Sequence, residues 1–223
     1  MKLPIWTKYE LLDRGFCTHV INKFNNDKNK HDGTISAGIV DKKIKSSIDL
    51  NISGYPEWTM ENEEFQKRLS DGINEYREYL TGINPSFSPL TNPNKDSGFQ
   101  IQRTDSGGGY TWHSDAYLYN ETNQSVVRSY VRAITYIFYL NTIPDTQGGY
   151  TEFVDGTRII SDQGKLLLFP SSWEYVHRGF PPTNITKYIV TGWIYNIIKS
   201  PISKNIKDIP SQQTRNSFFK VPQ

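Results

Sequence analysis

From Arg132 the chain reads Arg132-Ala133-Ile134-Thr135-Tyr136-Ile137-Phe138-Tyr139-Leu140-Asn141, and from Lys165 it reads Lys165-Leu166-Leu167-Leu168-Phe169-Pro170. Both are apolar runs rich in β-branched or aromatic residues and closed by turn formers, the pattern of buried strands. Comparable runs stand at Phe99–Arg103, Val126–Leu140, Tyr150–Val154, Thr157–Ile160 and Thr186–Ile198, with Gly, Pro, Asp and Asn between them. Short strands at this spacing predict a sandwich or barrel.

Upstream the pattern changes. Thr7 with Glu10 forms a capping box, and Tyr9, Leu12, Phe16, Val20 and Phe24 follow at helical spacing. Short β-like pieces are expected at Thr34–Val40 and Ile44–Ile52. A second helix is expected from Thr59 to Leu80, with Phe65, Leu69, Ile73, Tyr76 and Leu80 on one stripe. Gly82–Gly98, with three prolines, reads as a loop. Helices first and strands second give an α+β, mainly β, domain. Residues 1–98 are the support, 99–198 the core, and together they form a single catalytic domain. Lys199–Gln223 is a polar tail or an arm laid over the barrel.

The chain has 223 residues, 36% hydrophobic and 22% charged, enough to bury a core. Net charge is +2 with no basic run, so nothing indicates nucleic acid. Cys17 is the one cysteine, which excludes an internal disulfide and fits a reducing, cytoplasmic compartment. No stretch approaches the ~20 apolar residues of a membrane span, and the N-terminus turns polar too soon for a signal peptide.

Of four histidines, only His113 has a carboxylate two residues on, in Trp112-His113-Ser114-Asp115. In a strand, residues i and i+2 share a face, so His113 and Asp115 can reach one metal ion. His177 follows one buried-looking strand and precedes another, and it supplies the third ligand. Two histidines and a carboxylate form the facial triad of non-haem Fe(II) oxygenases, although Mn(II) or Zn(II) also suit these donors. In Thr186-Lys187-Tyr188-Ile189-Val190-Thr191-Gly192-Trp193, period two puts Lys187, Ile189, Thr191 and Trp193 on one face. A lysine among apolar inward neighbours needs a counter-anion; the bland alternative is that this face looks outward. Ser171-Ser172 near His177 suggests a hydrolase, but no Gly-x-Ser-x-Gly elbow exists. Ala116–Val127 is a polar stretch after Asp115; with Trp112, Tyr117 and Tyr119 it forms either a rim over the metal or an ordinary surface loop.

From Phe99 to Trp193 the chain resembles the prolyl 4-hydroxylase-like branch of the Fe(II)/2-oxoglutarate dioxygenases. The resemblance rests on the Gly107-Gly108-Gly109-Tyr110 turn, then His113-x-Asp115, Arg132 and a strand ending Tyr139-Leu140-Asn141. It continues with Gly148-Gly149-Tyr150-Thr151-Glu152-Phe153, an apolar strand ending Phe169-Pro170, and His177 with Lys187 ten residues on. Two positions depart. Many relatives carry a tyrosine in the turn where this chain has Arg103 or Thr104, and most have an acidic residue where it has Tyr150.

The resemblance implies a double-stranded β-helix (jelly-roll) core with N-terminal supporting helices. It also implies Fe(II) held by His113, Asp115 and His177, 2-oxoglutarate as cosubstrate, O₂, and room for ascorbate. Lys187, Tyr139 and Thr191 would face the cosubstrate, with Arg103 and Arg132 as other cations for it. The implied reaction is hydroxylation of an unactivated C–H bond, most simply on a prolyl residue of a peptide or protein. A free amino acid or other small molecule is the alternative substrate, and a catalytically silent metal-binding module is the alternative of another class.

Overall fold

A computed structural model describes residues 4–35, 38–85, 93–122 and 126–201. The elements are β1 (Trp6–Lys8), α1 (Arg14–Asn26), β2 (His31–Asp32), β3 (Ile48–Asn51), α2 (Thr59–Ile83), β4 (Pro93–Asp96), β5 (Gln100–Thr104), β6 (Tyr110–His113), β7 (Leu118–Thr122), β8 (Val126–Tyr139), β9 (Thr151–Phe153), β10 (Arg158–Ile159), β11 (Leu166–Pro170), β12 (His177–Gly179) and β13 (Lys187–Pro201). Nine strands form a major sheet in the order β1-β11-β8-β13-β5-β3-β2, with β7 on β8 and β4 on β13. A minor sheet runs β10-β9-β12-β6.

The long pair β8–β13 organises both cores. On β8, Ile134, Tyr136 and Phe138 join Val190 and Ile194 of β13 in the core beneath the helices. The alternate residues of β8, Ile137 and Tyr139, pack with Leu167, Phe169 and Phe153 between the two sheets. The helices lie on the first face. The stripe Phe65, Leu69, Ile73, Tyr76 and Leu80 of α2 is buried there, as its spacing predicts. Phe65 is the hub, with Phe16, Phe99 and Phe138 rings 5.2–5.5 Å away.

Several local expectations are corrected. Thr7 does not cap a helix; it lies in β1 opposite Leu167. Glu10 takes a left-handed conformation (φ 55°) between that strand and α1. The true cap is Asp13, whose carboxylate accepts from the Phe16 N–H at 3.1 Å. An edge pairing with a strand some 160 residues away thus overrides a local capping signal. No strand appears at Thr34–Val40 among the described residues, of which Ser36 and Ala37 are not part, and the second piece shortens to β3. The proline-rich loop ends in β4, which pairs with β13. β7 occupies part of the expected surface loop. β13 runs on to Pro201, so the polar tail does not begin at Lys199, and residues 202–223 lie outside the described set. Among the described residues, no helix is long and apolar enough to cross a membrane.

Removing the hub ring leaves a cavity between α2 and the sheet. Phe65→Ala is expected to lower unfolding free energy by about 3–5 kcal/mol in denaturant titration. A cost under 1 kcal/mol would show that the helices contribute little to holding the sheet.

Candidate active site

The minor sheet brings two histidines together. His113 ends β6, His177 begins β12, and the two are cross-strand partners. Their rings lie 4.3 Å apart. Each Nδ1 sits within hydrogen-bond reach of a main-chain carbonyl two residues back, His113 on Thr111 O at 2.8 Å and His177 on Tyr175 O at 3.0 Å. A carbonyl only accepts, so each Nδ1 carries a proton, and in the neutral tautomer it is Nε2 that keeps the lone pair. Both lone-pair nitrogens converge on Asp115, at 3.8 Å from Oδ1 for His113 and 3.7 Å from Oδ2 for His177. These separations exceed hydrogen bonds. One ligand atom from each of the three residues lies within 4.8 Å of the others, and among the described residues this is the one such group. Two oriented neutral imidazoles and a carboxylate suit a divalent ion with open positions.

Asp115 is buried, and burial by itself raises a carboxyl pKa. Here His177 and His113 and the hydrogen bond from Thr135 outweigh it, and the group lies below the ordinary carboxylate range. Burial beside His177 lowers the His113 imidazole to about 4, so it is neutral near pH 7. The other two histidines are elsewhere: His19 pairs with Glu61 at 2.6 Å, and His31 lies on β2.

Around the triad is a cavity of about 410 Å³ walled by both sheets. Lys187, Ile189, Thr191 and Trp193 all line it, the face expected from period two. Lys187 is buried, and no hydrogen bond or ion pair reaches its ammonium among the described residues. Burial alone lowers its pKa to about 8. Its Nζ lies 5.5 Å from the centre of the Tyr139 ring. Tyr139 is itself fully buried, its hydroxyl 2.7 Å from that of Thr151. Thr151, not Tyr139, lines the cavity. The Thr191 hydroxyl donates to Tyr136 O at 2.9 Å.

Strand register resolves the turn position that the sequence left between Arg103 and Thr104. Thr104 lies opposite Lys187 and Gln102 opposite Ile189, and both line the cavity. Arg103 is on the other face of β5, bonded to Asp105 at 3.0 Å, and is therefore corrected as a cation for this cavity. Trp112 is corrected as a rim residue. His177 pairs with His113 but Gly179 with Tyr110, an irregularity that leaves one extra residue on β6. Tyr110 and His113 consequently both face the cavity, stacked at 3.6 Å. Trp112 instead carries the Arg178 guanidinium, 4.6 Å from its ring. Tyr117 does line the cavity, and the Tyr119 side chain falls outside the described residues.

Sequence reading missed Thr135, Thr151, Gln102 and Tyr110. The signal for Tyr110 was the turn pattern; the others look like ordinary strand residues.

Residues 99–195 match the model of the 2OG-Fe(II) oxygenase superfamily. The core is that of a 2-oxoglutarate–Fe(II) dioxygenase. A PKHD-type hydroxylase of Synechococcus sp. (strain CC9311) is 25% identical over 198 residues, covering 86% of this chain and 79% of that one. A prolyl hydroxylase from Trichoplax adhaerens, solved with a peptide fragment of the hypoxia inducible factor oxygen degradation domain, superposes with TM-score 0.63 at 19% identity, covering 86% of this chain and 83% of that one. A Pseudomonas putida prolyl-4-hydroxylase gives TM-score 0.61 at 14% identity, covering 87% and 94%. These structures share the double-stranded β-helix, so the core has the expected fold. The paired glycines of the family pattern have a local cause. Gly148 and Gly149 both take positive φ (71° and 68°), and a Cβ on Gly148 would lie 2.4 Å from Pro181 O.

The triad makes a direct prediction. His113→Ala, Asp115→Ala and His177→Ala should each lose at least tenfold in Mn(II) affinity by anaerobic titration and remain folded by circular dichroism, whereas His31→Ala should bind normally. Normal binding by any of the first three would remove that residue from the ligand set.

Proposed function

We propose that this dioxygenase hydroxylates a prolyl residue of a peptide or protein. In this reading His113, Asp115 and His177 hold Fe(II), and Lys187 receives the distal carboxylate of 2-oxoglutarate. The observation that carries it is the buried, unpaired Lys187 ammonium in the cavity that the three ligands enter. A charge removed from water without a partner is costly, and an anionic cosubstrate supplies the partner. When bound, the iron supplies the oxidative decarboxylation of 2-oxoglutarate by O₂ and the hydroxylation coupled to it. The chain's own share is orientation. Lys187 anchors the far carboxylate, the Thr151 hydroxyl stands by as a second donor supported by Tyr139, and Ile137 and Ile189 wall the aliphatic segment. Ascorbate enters only as an accessory reductant. Residues 1–198 act as one catalytic unit, since helices and sheet share a core.

The peptide reading draws on the wall nearest Asp115. The Arg132 guanidinium lies between two rings, 3.5 Å from the centre of Trp193 and 5.0 Å from that of Tyr117. Arg132 Nη1 donates to Asp115 O at 3.4 Å, and Arg132 and Trp193 both line the cavity. A guanidinium and an indole on a cavity wall, with donors and no acceptors of their own, suit a ligand that brings acceptors. A peptide offers a main-chain carbonyl at every residue.

Incubating the Fe(II)-loaded enzyme with 2-oxoglutarate and proline-containing peptides, then with free proline, tests the substrate. A gain of one oxygen on peptide is expected. Turnover confined to a free amino acid would overturn the peptide reading.

The Lys187 assignment has its own tests. A charge-assisted hydrogen bond contributes roughly 1.5–3 kcal/mol, so Lys187→Met should weaken 2-oxoglutarate binding about 10- to 100-fold at little cost in metal affinity. The same variant should melt at higher temperature than wild type when 2-oxoglutarate is absent, because an uncompensated buried charge is gone. Only the protonated lysine attracts the anion. As pH rises through about 8 the ammonium is lost, and wild-type 2-oxoglutarate affinity should fall above that pH while the variant's stays flat. Parallel pH curves would place Lys187 outside the anion site.

A further inference from the structure

Ser171 and Thr135 lie outside the ligand set, yet both are buried against it. The Thr135 hydroxyl is 2.7 Å from Asp115 Oδ2 and 2.9 Å from Ser171 Oγ. Asp115 is an ionised acceptor, so the single Thr135 proton points to Oδ2. Thr135 Oγ1 must then accept from Ser171, whose hydroxyl is the donor. The relay therefore has one direction: Ser171 O–H to Thr135, Thr135 O–H to Asp115 Oδ2.

Its parts come from rigid places. Thr135 sits on the inner face of β8, opposite Phe169 of β11 and Trp193 of β13. Ser171 follows β11 directly, and its N–H donates to Ala133 O at 3.0 Å, which ties it to the same β8 segment. Both side chains are buried. Asp115, by contrast, is in the connection after β6 and has no strand of its own to hold it.

We propose that Ser171 and Thr135 form a hydroxyl latch that makes Asp115 a one-oxygen ligand. This rests on the triad holding the metal. The latch engages Oδ2, so Oδ1 is the oxygen it leaves free for the ion. Two imidazoles and one carboxylate oxygen fill three positions and leave the rest of the coordination sphere open. A carboxylate gripping with both oxygens would take one of those open positions from cosubstrate or O₂. Thr135 and Ser171 are positioning residues that act through Asp115; Thr135 also borders the cavity, whereas Ser171 does not line it.

The test is Thr135→Val, which keeps the shape and removes the hydroxyl, beside Thr135→Ser and Ser171→Ala. Mn(II) affinity is read by anaerobic titration, and 2-oxoglutarate affinity is then read at saturating Mn(II). Thr135→Val should bind Mn(II) about 10- to 100-fold more weakly, the range for lost outer-shell partners. Once loaded, it should also bind 2-oxoglutarate several-fold more weakly, while Thr135→Ser restores both constants to within a few-fold. Ser171→Ala should weaken both in the same direction but less, and it keeps the proposal testable should the valine variant fail to fold. The latch is overturned if the folded valine and Ser171→Ala variants keep wild-type constants, or if they lose only melting temperature. If instead the wild type binds no Mn(II), or His177→Ala binds it normally, the triad reading fails and the latch falls with it.

Discussion

The antiparallel pairing of β8 with β13 assigns each residue of its inner half to one of two faces, and most of the site follows from that assignment. Ile134, Tyr136, Phe138, Val190 and Ile194 turn toward the helices. Thr135, Ile137, Lys187, Ile189, Thr191 and Trp193 turn toward the cavity. A register slip of one residue would exchange the two sets, burying Lys187 under α2 and presenting phenylalanine to the metal. The helices guard against that slip. They make one face so apolar that only one register buries it, and aromatic contacts centred on Phe65 reinforce it.

Charge placement inside the cavity is uneven. Asp115 accepts from the Thr135 hydroxyl at 2.7 Å, and Lys45, also on the wall, is matched by Asp49 at 2.6 Å. Lys187 and Arg132 have no carboxylate partner among the described residues. That imbalance is the basis for proposing that the cavity receives an anion. Lys187 and Arg132 lie on the neighbouring strands β13 and β8.

The parts of this arrangement that were legible in advance are those governed by short-range rules. Alternation along residues 187–193 identified the cavity face of β13, and the His-x-Asp spacing singled out two of the three converging donors. The α2 stripe was equally plain. What escaped depends on partners distant in sequence. Thr135 reads as an ordinary β-branched strand residue until Asp115, 20 positions earlier, and Ser171, 36 later, are brought to it. Thr151 gains its place from Tyr139 across the sheets. Tyr110 leaves the face of Trp112 and joins that of His113 because of an extra residue in β6 that no local pattern announces. Thr7 looked like a cap because its competitor, Leu167, is far along the chain.

The three converging donors and Lys187 are proposed to serve one bound pair, metal and cosubstrate. A crystal structure of the protein grown without oxygen, with Mn(II) and 2-oxoglutarate, tests it most directly through the anomalous signal of the metal. The expected map has one strong peak about 2.0–2.2 Å from His113 Nε2, His177 Nε2 and Asp115 Oδ1, with density running from it to a carboxylate on Lys187 Nζ. A peak away from these three atoms would remove them as the metal site, and 2-oxoglutarate bound with its distal carboxylate away from Lys187 would remove that lysine as its anchor.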